Sequence, residues 1–201
     1  MFLRSCKKRI HYCSEMQQSI DDAKAEELEK LKDQLADEMG LPFGLHTLGI
    51  PAVASFSGMI LSFAMPQFAI WSFILNWFSL PLHWVLGCVF FAGILFCGVG
   101  AATLFLIGKG NMAALKMHVG MVLGTQLFAI GYLLCALLAQ ANINILPETG
   151  LISAILGVIF IALSNITLCS QAFYKMLLFS LHNRALRKQL TSRQCKEKGW
   201  D

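Results

Sequence analysis

Charged side chains are scarce in this sequence and, over long stretches, missing. Only 14% of its 201 residues are Asp, Glu, Lys or Arg, against about 25% in an ordinary soluble domain. No charged residue lies between Glu38 and Lys109, between Lys116 and Glu148, or between Glu148 and Lys175. A soluble core would alternate with polar surface within a few helical turns. Uncharged runs this long instead need the hydrocarbon of a bilayer as their solvent.

Other absences narrow the function. No CxxC or CxxxC pair occurs among the seven cysteines (Cys6, Cys13, Cys88, Cys97, Cys135, Cys169 and Cys195), so neither a metal site nor a membrane thiol oxidase is indicated. The thiols read as small hydrophobes. There is no HExxH, GxSxG or phosphate-binding loop motif. No Asp, Glu, Lys or Arg falls inside any expected span, whereas proton relays, cation pathways and voltage sensors normally need a charged group there. The first forty residues lack the apolar core and cleavage site of a signal peptide, so the first span is expected to direct insertion itself.

What is present predicts an all-α integral membrane protein. The expected form is a four-helix transmembrane bundle with a cytoplasmic N-terminal amphipathic helix and a basic helical C-terminal tail. Residues 1–13 form a basic arm with Arg4, Lys7, Lys8 and Arg9. Over 14–40, Ile20, Leu28, Leu31, Leu35 and Met39 recur at helical spacing, opened by Ser19 with Asp21 and Asp22 and ended near Gly40 and Pro42. The membrane domain is expected over 41–175, with spans at about 47–65, 83–107, 117–140 and 151–174. The tail occupies 176–201, where Leu177, Leu178, Leu181, Leu186 and Leu190 alternate with Arg184, Arg187 and Lys188; such tails commonly lie on the inner membrane surface.

Gln67 to Leu80, between Pro66 and Pro81, is short for a crossing and carries Trp71, Asn76 and Trp77. It reads as an interfacial or re-entrant helix at about 67–80. With that assignment all 16 Lys and Arg residues fall before the first span, in the 108–116 connection, or from Lys175 onward. The net charge of +4 is therefore a topological signal. It places both termini in the cytoplasm, the expected location being a bacterial inner membrane, and points to no nucleic-acid partner.

Small residues mark the faces where membrane helices meet. On the first span Thr47, Pro51, Ala54, Ser55, Gly58 and Ser62 share one side, opposite Val53, Phe56, Ile60 and Phe63. On the third, Gly120, Gly124, Leu127, Gly131 and Leu138 align, with a GxxxG spacing expected to make contact within the bundle. On the fourth, Ala154, Val158, Ala162, Asn165, Cys169 and Ala172 align; the second span, with Gly87, Gly93, Gly98 and Gly100, has no clean face and suits a central or flexible helix. Gln126 and Asn165 are the polar groups at membrane depth and predict one or two interhelical hydrogen bonds, or else a polar pocket.

The candidate interaction residues are thus Gly58, Ser62, Gly120, Gly124, Gly131, Gln126 and Asn165. No catalytic, cofactor-binding or metal-binding residue is assigned, and no cofactor is expected. Besides the lipid bilayer, the expected partner is another membrane protein or a second copy. The leading reading is a non-catalytic subunit or accessory factor of a membrane complex. The alternative is a small oligomeric channel or transporter subunit. A toxin-immunity membrane protein is compatible as well, and a haem b carrier using His46 with His118 represents the enzyme-like class. His83 and His182 also lie near helix ends.

Overall fold

The computed structural model describes residues 2–40, 49–141 and 150–197, and among these every regular element is helical. In chain order they are α1 (Phe2–Asp22), α2 (Ala25–Met39), α3 (Ile50–Ala64), α4 (Gln67–Trp77), a 3-10 turn (Leu82–Trp84), α5 (Val85–Gly108), α6 (Met112–Gln140), α7 (Leu151–Leu168) and α8 (Gln171–Glu197). Four stretches, Ile50–Trp77, Leu82–Gly108, Met112–Gln140 and Leu151–Leu168, are long and apolar enough to cross a membrane.

Three boundaries differ from the sequence expectation. The basic arm is helical, and the helix expected over 14–40 is divided at Ala23 and Lys24. Ser19 does not open a helix: its carbonyl accepts from the Ala23 N–H, and Asp21 and Asp22 end α1. Carboxylates at a helix C-terminus oppose its dipole. The Lys188 ammonium offsets this by donating to the carbonyls of Ile20 (2.9 Å), Asp21 (2.6 Å) and Ala23 (3.0 Å). The Lys24 N–H then bonds Glu27 Oε2 to start α2.

The second difference is at Pro66. Proline has no N–H for the carbonyl of Ser62, so the helix breaks at Met65 and Pro66 and resumes as α4. The segment expected as a separate interfacial helix thereby joins α3 in one apolar stretch of 28 residues, Ile50–Trp77. The third is at the end of α7. The span expected to reach 174 stops at Leu168; Ser170 Oγ accepts the N–H of Phe173 and opens α8.

The backbone divides into two compact units. One comprises Met1–Val53, Thr103–Lys116 and Thr167–Asp201; the other comprises Ala54–Ala102 and Met117–Ile166. All 16 Lys and Arg belong to the first, while the second has Glu148 as its one charged residue. Chain packing and charge thus partition at the same places.

In the first unit α8 packs on both α2 and α1. Buried positions recur at helical spacing: Cys13, Met16 and Ile20 three and four apart on α1, and Leu28, Leu35 and Met39 seven and four apart on α2. Leu177, Leu178 and Leu181 of α8 are buried, while Leu186 and Leu190 are exposed. The tail's apolar stripe is therefore largely used on α1 and α2. The turn before α6 needs Gly110, whose φ is +76° and where a Cβ would lie 2.8 Å from the Ser180 carbonyl.

In the second unit the buried face of α6 is the heptad-like series His118, Val122, Thr125, Ala129, Tyr132 and Ala136. Helix α3 meets α7 through Gly58 and α6 through Ser55. The stretch containing α5 is only 11% buried, so α5 is peripheral. It is neither the central helix its glycines suggested nor without a docking face. Phe63 stacks on Phe96 with ring centroids 3.9 Å apart, and the Phe56 ring occupies the space over Gly100. Phe56 and Phe63, expected to face away from the protein, are thus the contacts to α5, because a glycine recess accepts a ring.

Candidate functional site

A fully buried polar constellation lies among the apolar helices of the second unit. Ser55, His118 and Ser164 are each fully buried, one from each of α3, α6 and α7. Ser164 Oγ donates to the Ser55 carbonyl at 2.7 Å, Ser55 Oγ lies 3.1 Å from Ser164 Oγ, and His118 Nε2 lies 3.3 Å from Ser55 Oγ. Because the Ser164 proton is committed to the carbonyl, Ser55 donates to Ser164 and accepts from His118. The imidazole then carries its proton on Nε2, and Nδ1 is a buried acceptor without a partner among the described residues. This tautomer leaves only a lone pair unmatched; the other would strand an N–H.

A hydroxyl against an imidazole is also the pairing of nucleophile and base. Here both groups are fully buried, and no described residue orients Nδ1 as the third member of a catalytic triad would. What the arrangement does on its geometry is tie three helices together. Interhelical hydrogen bonds of this kind contribute about 0.6 kcal/mol each on average. His118→Leu, which keeps the volume and removes an unmatched acceptor, is therefore expected to change unfolding stability in detergent by less than about 1 kcal/mol. A larger loss would show that His118 is held by more than this contact.

A second polar link joins α6 and α7. Asn165 Nδ2 donates to Gln126 Oε1 at 3.2 Å and to the Ile161 carbonyl at 3.0 Å. A third joins Tyr132 to Ser153 at 3.0 Å, with the Gly150 N–H donating to the Tyr132 hydroxyl. On α4, the Trp71 indole donates to Gln67 Oε1, and Gln67 Nε2 donates back to the Phe63 carbonyl across the proline break.

The sequence-selected residues thus fall into two groups. Gly58, Ser62, Gln126 and Asn165 lie where helices of this unit meet. A Cβ on Gly58 would sit 2.8 Å from the Phe160 carbonyl, and Ser62 is buried with its hydroxyl unpartnered among the described residues. Among the described residues Gly120, Gly124 and Gly131 have no packing partner where contact within the bundle was expected: a Cβ at any of them would meet nothing within 4 Å. On α7 the buried stripe is Ala154, Gly157, Ile161, Ser164 and Leu168, rotated from the expected one, and Ala162 is exposed. Ser164 and Gly157 were missed because α7 carries small residues on two sides. On α6 the three-and-four spacing of the buried series was the legible signal, and the glycines masked it.

Beside the open glycine face an apolar cavity of about 330 Å³ is lined by Ile70, Leu127, Phe128, Gly131, Tyr132 and Cys135. His46 lies outside the described residues, so the imidazole pair considered for haem has only His118 in view, with its Nε2 turned to Ser55. His83 lies beside Trp84, their ring centroids 5.6 Å apart.

The charged unit holds its own network. Glu38 accepts from Tyr12 at 2.8 Å and from Tyr174 at 3.2 Å, joining α2 to α1 and α8. Burial, and then the Glu38 carboxylate, push the Tyr12 hydroxyl up to about 12 and raise Tyr174 as well. The same two causes push the Cys13 thiol up to about 12, so it is an inert packing group at neutral pH. Arg9 donates to Gln171 Oε1 at 2.7 Å and to the Cys169 carbonyl at 3.4 Å, its guanidinium 5.3 Å from the Tyr174 ring centroid. Arg184 holds Asp21 through both carboxylate oxygens, at 2.9 and 3.0 Å. Partial burial alone would raise Asp21, but the bonds from Arg184 and Gln17 and the charges of Arg184 and Lys188 together keep it below its ordinary value. His182 is pushed down by burial and by Lys32.

Among the described residues no cluster of His, Cys, Asp and Glu could hold a metal ion. The chain matches no protein-family model, no curated protein and no solved structure, so both fold and site rest on its own residues.

Proposed function

We propose that the protein is a non-catalytic subunit of a membrane complex. Its apolar helices cross the bilayer four times, both termini and the 108–116 connection lie in the cytoplasm, and the exposed glycine face of α6 receives a helix of a partner membrane protein. The observation that carries this reading is the emptiness of that face. Gly120, Gly124 and Gly131 have no neighbour within reach of a Cβ, and Leu123, Leu127 and Leu134 around them are more than half exposed. Glycine in a helix interior costs about 1 kcal/mol relative to alanine. In lipid, what such a stripe offers in return is close backbone approach by another helix.

The positive-inside rule supports the orientation, since every Lys and Arg belongs to the unit formed by the two ends and the middle connection. Asn165 Nδ2 donates to Gln126 Oε1, so each of these two amides has a partner within the chain, which supports reading them as a link between α6 and α7.

The test is co-purification of the tagged chain in mild detergent. Gly124→Leu is expected to reduce recovery of the stoichiometric partner at least tenfold, while the variant keeps wild-type stability because no described residue of its own chain lies against Gly124. Equal recovery of a partner by wild type and variant, or recovery of none by wild type, would falsify this reading.

A further inference from the structure

Gln17 and Arg9 place α1 beside the ends of two apolar helices. Gln17 Oε1 accepts the N–H of Met112, the first residue of α6, at 2.7 Å. About two turns earlier on α1, Arg9 reaches the Cys169 carbonyl just past the end of α7. The stretch of α1 between these anchors therefore lies at the level where the apolar helices begin.

An open groove of about 440 Å³ occurs at that level, lined by Ile10, His11, Ser14, Glu15, Gln18 and Lys116. Its chemistry is that of an anion site with an apolar edge. Lys116 is the one full positive charge in it; it is exposed, in the second turn of α6, and bonded to no described residue. Ser14 and Gln18 bring a hydroxyl and an amide that likewise have no partner among the described residues. The one carboxylate, Glu15, faces His11 Nδ1 at 3.3 Å. Ile10 supplies the apolar wall.

We infer that this groove binds the headgroup of an anionic phospholipid. The phosphate sits against the Lys116 ammonium and the Ser14 and Gln18 donors, and the glycerol backbone lies toward Ile10. A basic side chain at the membrane surface attracts anionic lipid, and hydroxyl and amide donors lining the same groove add hydrogen bonds to its phosphate. The inference rests on the membrane reading above.

The test uses full-length protein purified from membranes into nanodiscs of phosphatidylcholine containing a minor fraction of phosphatidylglycerol, followed by native mass spectrometry of the retained lipid. Wild type is expected to retain phosphatidylglycerol in excess of its share of the disc, and Lys116→Gln to lower that excess about fivefold. Arg193→Gln, an exposed change near the far end of α8, is expected to leave it unaltered. No excess in wild type, or an excess unchanged in Lys116→Gln, overturns the inference while leaving the membrane reading in place. Loss of the excess on adding inorganic phosphate overturns it in favour of a soluble anion. Release of the protein from membranes by alkaline carbonate overturns both.

Discussion

Gly58→Ala is expected to destabilise the protein by about 3 kcal/mol, at the upper end of the usual cost of overpacking. The new methyl would lie 2.8 Å from the Phe160 carbonyl oxygen and 3.3 Å from the Ser164 nitrogen. Both are backbone atoms of α7, so no side chain can rotate out of the way, and α3 and α7 must separate. Separation also stretches the 2.7 Å bond from Ser164 to the Ser55 carbonyl, coupling packing loss to a polar loss. The same change at Gly124, where a Cβ meets nothing within 4 Å, is expected to be neutral or stabilising by up to about 1 kcal/mol through helix propensity. Unfolding of both variants in mixed micelles, followed by far-UV circular dichroism against added denaturing detergent, checks the pair. Equal effects at the two positions would mean that Gly58 is not the close approach described.

Lys188→Met should release the end of α1. The ammonium bonds three carbonyls that terminate that helix, and leaving them unmatched costs about 2 kcal/mol for partly buried groups accepting from a charge. Methionine keeps most of the aliphatic stem, so the change isolates the charge. Faster amide hydrogen exchange over residues 13–22, with α6 and α7 unchanged, is the expected readout. Acid acts on the neighbouring contact. Because Asp21 sits below its ordinary value in the folded chain, the stability it adds is fully present above about pH 4 and is lost as pH falls through the folded value. The exchange protection of α1 should therefore fall below about pH 4 in wild type, and Asp21→Asn should show the lower protection at every pH. An acid response unaltered by Asp21→Asn would assign it to another carboxylate.

What was legible beforehand and what was not follows from the range of the interaction responsible. Helical character and the four long apolar stretches are properties of composition over about twenty residues, and a sequence displays them directly. The break at Pro66 is local for the same reason: a missing N–H needs no tertiary partner to act. The division of 14–40 was not legible, because Asp21 and Asp22 favour a helix start by their dipole interaction and end one here only with Lys188 and Arg184 brought from the other end of the chain. The faces of α6 and α7 were partly misread because glycine and alanine are small on every side.

By itself, then, the sequence determined an all-helical chain with four stretches long and apolar enough to cross a membrane, and a distribution of Lys and Arg confined to its ends and middle connection. Only the tertiary structure decided which small residues are used within the chain and which are left open, Gly58 against Phe160 and Gly124 against no described residue. It also decided that the two charged ends fold on each other, with α8 against α1 and α2. The physical reason is that hydropathy is additive along a chain and visible in any window of it. A close approach or an ion pair belongs to two residues far apart in sequence, and neither one carries a sign of the other.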